Sequence, residues 1–242
     1  MFKILTPTKI NYNVHMAYEE EIEEYRKSPL QVELGDRADP KLVEELVREI
    51  SLIWVTEGDK PVVPTLVLFG GFQGSGKTTV INELQQSAND TFIVISPDEI
   101  RNKLFEKISF SDVFVHTVFA ARNKLLQKAL ETGQHVLMDE NSTPLRINLF
   151  NSFAEQQQDT RYKVLSVFLE APKETLAQRV ESRFQVPGRY AGKVDELLAS
   201  MEKHGNIDLS GYSIVIDTVK DAPTVAASVI FDTIQSLQGQ LA

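Results

Sequence analysis

The sequence predicts an α/β protein: a parallel sheet sandwiched between helices in three layers, with a helical extension at the N-terminus. Three observations predict it. From Val62 onward short apolar runs are separated by longer amphipathic ones, the pattern of strands joined by covering helices. The apolar runs lack steady apolar/polar alternation, as strands do when both faces are buried. Gly71-Phe-Gln-Gly-Ser-Gly-Lys-Thr78 fits G-x-x-x-x-G-K-[ST] without a mismatch and lies between a strand-like and a helix-like run. The 242 residues suffice for one such domain and an appendage, and 42% hydrophobic with 24% charged residues is ordinary for a globular chain.

Residues 1–60 read as the helical extension and 61–242 as the nucleotide-binding domain. Tyr18-Glu-Glu-Glu-Ile-Glu-Glu-Tyr25 is strongly acidic, a solvated helical face or, alternatively, a segment that docks a protein partner. Asp39-Pro40 has the form of an N-cap followed by proline in the first turn. Leu42, Val43, Leu46, Ile50 and Ile53 then recur at helical spacing up to Trp54, and Glu57-Gly-Asp-Lys-Pro61 breaks the helix. Strands are expected over 65–69, 92–95, 135–138, 162–169 and 213–216. Helices are expected over 77–86, 98–105, 111–131, 144–157, 172–184, 190–204 and 222–241, with Gly133 closing the long third one. In an open parallel sheet, ligands bind at the carboxyl ends of the strands. Three polar clusters fall there: the glycine loop, Ser96-Pro97-Asp98, and Asp139-Glu140-Asn141.

Composition narrows the function. A net charge of −9 disfavours a long nucleic acid as partner and favours a small or nucleotide-like one. The chain has no cysteine, which excludes disulfides, thiolate metal sites and a cysteine nucleophile, and fits a reducing, cytoplasmic setting. No apolar run reaches membrane-spanning length and no signal-like N-terminus is evident, so no membrane association is expected. His15, His116, His135 and His204 are too scattered to form a paired metal motif.

The chemistry follows from residue type and spacing. In the glycine loop, a Walker A motif, Gly71, Gly74, Ser75, Gly76, Thr78 and Thr79 cradle phosphates with backbone amides and a helix N-terminus. Lys77 adds a point charge to the β- and γ-phosphates, and the Thr78 hydroxyl is placed to ligate Mg²⁺. Asp98 and Arg101 share a helical face. There a carboxylate could accept the proton of an attacking hydroxyl and a guanidinium could hold an anionic acceptor, where an ordinary helix would have a simple ion pair. Asp139, ending a buried strand beside the loop, is a second candidate Mg²⁺ ligand. The Asp139-Glu140 pair admits a rival, in which Glu140 activates water in an ATPase. Asn141, Thr143 and Arg146 follow as candidate acceptor contacts or loop and cap residues. Arg179 and Arg183 lie four apart on one helix, with Arg189 beyond, as lid arginines that could neutralise a transferring phosphoryl group. Phe110, Phe114 and Phe119 read as core packing.

Over about residues 62–218 the sequence resembles the phosphate-loop kinases that include zeta toxins and the kinase domains of polynucleotide kinases. The resemblance rests on Gly70-Gly-Phe-Gln-Gly-Ser-Gly-Lys-Thr-Thr79, Ile95-Ser-Pro-Asp-Glu-Ile-Arg101, Val136-Leu-Met-Asp-Glu-Asn141 and Arg179-Val-Glu-Ser-Arg183. It implies a P-loop NTPase fold of kinase type, with Asp98 as general base, Arg101 on the acceptor side, Arg179 and Arg183 gripping the donor phosphates, and Asp139 as the acidic residue after the third strand. Ile100 stands before Arg101 where zeta toxins have phenylalanine, and their proline-rich stretch is missing. The expectation is an enzyme using ATP and Mg²⁺ to phosphorylate a hydroxyl of a small or nucleotide-like acceptor, in the manner of a zeta toxin. A polynucleotide 5′-hydroxyl kinase and an ATPase or nucleotide-binding module without an acceptor are the alternatives.

Overall fold

The structure is a computed structural model describing residues 29–54, 60–88, 92–157, 162–184, 193–204 and 207–239. The acidic run at 18–25, most of the expected break at 57–61, and Arg189 lie outside the described residues.

Five parallel strands form the sheet: β1 (Thr65–Gly70), β2 (Ile93–Ile95), β3 (Val136–Met138), β4 (Lys163–Glu170) and β5 (Ile214–Asp217), in the order β2-β3-β1-β4-β5. β1 is central, with Leu66 opposite Val136 of β3 on one side and Val164 of β4 on the other. The chain leaves β1 for β2, returns to β3, then crosses β1 to reach β4, so the strand order switches direction beside β1. In open α/β sheets the binding crevice lies at such a switch.

The helices are α1 (Pro29–Leu34), α2 (Pro40–Ser51), α3 (Lys77–Ser87), α4 (Pro97–Phe105), α5 (Asp112–Glu131), α6 (Pro144–Glu155), α7 (Lys173–Phe184), α8 (Val194–His204) and α9 (Pro223–Gly239). Alternate residues of β1 enter opposite cores. Leu66 and Leu68 join Val47, Ile50, Ile100, Leu104, Leu125 and Phe150 from α2, α4, α5 and α6 on one face. Val67 and Phe69 join Ile81, Leu84, Ile230 and Ile234 from α3 and α9 on the other. Burial on both faces explains why the strands carry no alternation in sequence.

Among the described residues the expected strands and helices are present, with ends shifted by a few residues, and the start of the helix expected from Tyr190 lies outside them. One helix, α1, was not anticipated: six residues give too little periodicity to read. α2 begins as expected, with Asp39 Oδ1 accepting from the Lys41 and Leu42 amides at 2.8 and 3.3 Å and Pro40 in the first turn. It ends at Ser51 rather than Trp54, leaving Ile53 exposed. Val43, Leu46, Val47 and Ile50 of α2 belong to the same core cluster as β1 and β3, so the described part of the extension is built into the main core.

Candidate functional site

The site is assembled at the carboxyl ends of β1, β2 and β3. After β1 the backbone turns through Gly71, Gly74 and Gly76, with φ of +129°, +82° and +96°. At Gly71 a β-carbon would lie 2.4 Å from the Leu169 carbonyl oxygen, so close passage of the loop over β4 requires glycine. The loop runs directly into α3. Gly76 caps that helix without a side-chain hydrogen bond, leaving the first amides of Lys77, Thr78 and Thr79 without a side-chain cap. Such an end is an anion site, because unspent N–H groups and the helix dipole point the same way.

Lys77 Nζ arches over the loop and donates to Gly71 O at 2.6 Å, Phe72 O at 3.1 Å and Ser75 Oγ at 3.3 Å. The protein atoms crowded around the ammonium pull its pKa down to about 8, against the opposing pull of Asp139 and Asp98. Thr78 Oγ1 donates to Asp139 Oδ2 at 3.0 Å. Desolvation raises the Asp139 pKa, partly offset by Lys77 and the Thr78 hydroxyl. A hydroxyl and a desolvated carboxylate joined in this way are a hard-oxygen pair suited to Mg²⁺, which keeps its remaining positions for phosphate and water.

Asp98 and Arg101 face this pair from the first turns of α4, placed there by β2 and by Pro97 at the helix start. They form an i,i+3 ion pair in which Asp98 is 69% exposed and Arg101 35%. The Asp98 charge is felt at both Lys77 and Asp139, as is that of Arg183 on α7. The mouth of the sheet therefore gathers Lys77, Thr78, Asp139, Asp98, Arg101 and Arg183. Arg179 has another position. Its guanidinium donates to Gly74 O at 3.2 Å, Thr218 Oγ1 at 2.9 Å and Thr218 O at 2.9 Å, clamping the glycine loop to the end of β5.

The residues after β3 separate by role. Glu140 turns inward, its side chain 5% exposed, and pairs with Arg122 at 3.2 Å. Its carboxylate is thus committed to the interior rather than to a water at the mouth. Asn141 Oδ1 accepts from the Gly71 amide at 3.1 Å, tying the β3 turn to the glycine loop. Thr143 occupies the N-cap position of α6 without a side-chain capping bond, and Arg146 Nη1 donates to Asn141 O at 2.8 Å. Phe114 and Phe119 are buried, as packing residues should be, and Phe110 packs against the same core. Sequence reasoning missed Glu33, Arg122, Tyr212 and Thr218. Tyr212 donates to Ser142 O at 2.7 Å and fills the space over Gly70. Each acts through a contact more than 35 residues away in the chain, which no local spacing reveals.

A family model described as an AAA domain matches residues 66–204. Among solved structures, the chain is similar to a protein of Chloroflexus aurantiacus j-10-fl assigned provisionally as a kinase, at 20% identity and a TM-score of 0.55, covering 74% of this chain and 99% of that one. It is also similar to a structure from the PezAT chromosomal toxin–antitoxin system of Streptococcus pneumoniae, at 18% identity and a TM-score of 0.50, covering 79% of this chain and 86% of that one. These likenesses show the phosphate-loop kinase-like fold. A search of curated proteins finds no match.

Proposed function

The chain belongs to the AAA domain family, and from that premise we propose that it is an ATP- and Mg²⁺-dependent kinase that phosphorylates a hydroxyl of a small or nucleotide-like acceptor, in the manner of a zeta toxin. The observation that carries this reading is the convergence at one mouth of a phosphate cradle, the Thr78–Asp139 oxygen pair, and an exposed carboxylate on a separate element. A nucleotide-binding module has no use for the last of these.

In this reading the triphosphate lies along the amides of the glycine loop and the start of α3, with Lys77 leaving the loop carbonyls for the β- and γ-phosphates. Thr78 and Asp139 would hold Mg²⁺, which supplies charge neutralisation between those phosphates. Asp98 accepts the proton of the attacking hydroxyl, and Arg101, partly neutralised by Asp98 beforehand, orients an anionic acceptor. Arg183 offsets charge on the transferring group, while Arg179 steadies the loop from the donor side. The ATPase alternative needs a free Glu140, and the inward pairing of Glu140 with Arg122 disfavours it.

The test is incubation with γ-labelled ATP, alone and with pools of nucleosides, nucleotide sugars and 5′-hydroxyl oligonucleotides. Label moving into the nucleoside or nucleotide-sugar pool is the expected result. Label appearing only in oligonucleotides supports the polynucleotide alternative, and release of inorganic phosphate with no labelled acceptor contradicts the kinase reading.

A further inference from the structure

Behind the mouth lies a buried charged network that the reaction as described does not use. Arg122 of α5 is fully buried, its guanidinium 4.8 Å from the Phe119 ring centroid and 5.0 Å from that of Phe150. It binds Glu33 Oε2 at 2.8 Å, Glu140 Oε2 at 3.2 Å and Asn123 Oδ1 at 2.8 Å. Glu33, on α1, is also fully buried, and its other carboxylate oxygen accepts from Arg146 Nε at 2.9 Å. The Glu33 backbone carbonyl is held by Arg122 Nη2 at 3.2 Å and Asn123 Nδ2 at 2.7 Å. Burial alone would raise the Glu33 pKa, but Arg146 and Arg122 outweigh it and keep the carboxylate ionised.

Two lines run from this carboxylate to the reacting region. One passes through Arg146 Nη1 to Asn141 O at 2.8 Å, and from Asn141 Oδ1 to the Gly71 amide at 3.1 Å. The other passes through Arg122 to Glu140, the neighbour in sequence of the candidate metal ligand Asp139. A guanidinium desolvated this far needs all its partners. The turn after β3 is therefore fixed from behind by a residue 107 positions upstream of Glu140 and outside the span matched by the family model. We infer that Glu33 is a positioning residue for nucleotide binding: it sets the Glu140–Asn141 turn, and through Asn141 the entry of the glycine loop, so that α1 is a working part of the site. This rests on the nucleotide-binding part of the proposed function.

The experiment is a double-mutant cycle at Glu33 and Asn141, read by calorimetric titration with Mg·ATP and by thermal melting of the same samples. Glu33→Gln keeps the shape but turns an N–H group toward a guanidinium. It is expected to weaken Mg·ATP binding about tenfold in the otherwise unaltered protein, and by less than about twofold in an Asn141→Ala background, because the line to Gly71 is already cut there. The thermal midpoint should fall in both backgrounds, since the ion pairs are lost in both. A midpoint that falls while the Kd stays within about twofold overturns the inference and leaves Glu33 a stabilising residue only. Equal weakening in both backgrounds overturns it too, since the effect then does not pass through Asn141 to the glycine loop. If Glu33→Gln does not yield folded protein, Arg146→Gln cuts the same line from its partly exposed side and is judged by the same two outcomes. An unaltered protein that takes up no Mg·ATP contradicts the nucleotide reading itself, a failure distinct from the other two.

Discussion

At the scale of single residues the account turns on Lys77 and Asp98, which have different tasks. Lys77→Ala should abolish transfer, because Lys77 Nζ is the ammonium that bonds Gly71 O, Phe72 O and Ser75 Oγ at the loop's hollow, whereas Arg179 is committed to Gly74 O and Thr218. The depressed pKa of Lys77 gives a further expectation with a definite sign. The free protein releases the Lys77 proton near pH 8, whereas bound phosphates favour the charged form. Binding above that pH must therefore take up a proton, so Mg·ATP affinity should fall by up to about tenfold per pH unit above pH 8 and be nearly flat from 6.5 to 7.5. Titrations across that range, in buffers of different ionisation enthalpy, measure both the slope and the proton. That Lys77 and Thr78 stand at the start of α3 and that Asp98 pairs with Arg101 was legible in the sequence, because a phosphate loop and an i,i+3 pair are local patterns. The placement of Arg179 on Gly74 and Thr218 was not, because its partners lie 105 and 39 residues away.

At the scale of elements, the α1–α2 corner makes the sharpest claim. Gly35 has φ +76°, and a β-carbon there would lie 2.6 Å from both Ala120 Cβ and His116 O of α5. Gly35→Ala combines a left-handed backbone penalty with overpacking, and should cost about 2–4 kcal/mol of stability in denaturant titration. The corner is fixed further by Asp39 N to Thr117 Oγ1 at 3.0 Å, and α2 is tied to the end of α4 by Lys107 bonds to Glu45 and Glu49 at 2.8 and 3.0 Å. The periodicity of α2 was readable, since Leu46 and Ile50 repeat on one face. That this face closes the main core was not, because an amphipathic stripe states that something covers it and not what. α1 was invisible for a plainer reason: in Pro29-Leu-Gln-Val-Glu-Leu34 the residue that matters most is a glutamate, which reads as surface.

At the scale of the whole molecule, the sheet has a reactive end and a structural one. The structural end is held by His135, whose Nδ1 accepts from the Thr65 amide at 3.0 Å and whose Nε2 lies 3.1 Å from the Gln238 amide nitrogen of α9. Burial lowers its pKa to about 4, below the ordinary 6.5 of the unfolded chain. The unfolded state thus binds more protons between those values, and stability is lost as pH falls through 6.5 toward 4, by at most about 3 kcal/mol. Urea titrations at pH 7 and pH 5 should show the loss, and His135→Asn should flatten it. The three-layer class was legible because apolar runs without alternation have few homes other than a doubly covered sheet. The order β2-β3-β1-β4-β5 was not, since the turns that join the strands do not encode which neighbours they choose. That order places β2, and with it Asp98, across β3 from the glycine loop, and the proposed reaction depends on this juxtaposition. The most direct measurement is transfer of label from γ-labelled ATP to the acceptor pool, taken side by side with Mg·ATP affinity, in the unaltered protein and in Asp98→Asn. Transfer reduced on the order of 10²–10⁴ with the Kd unchanged is the predicted result; full transfer in Asp98→Asn would contradict the role given to that carboxylate, and with it the account of the site.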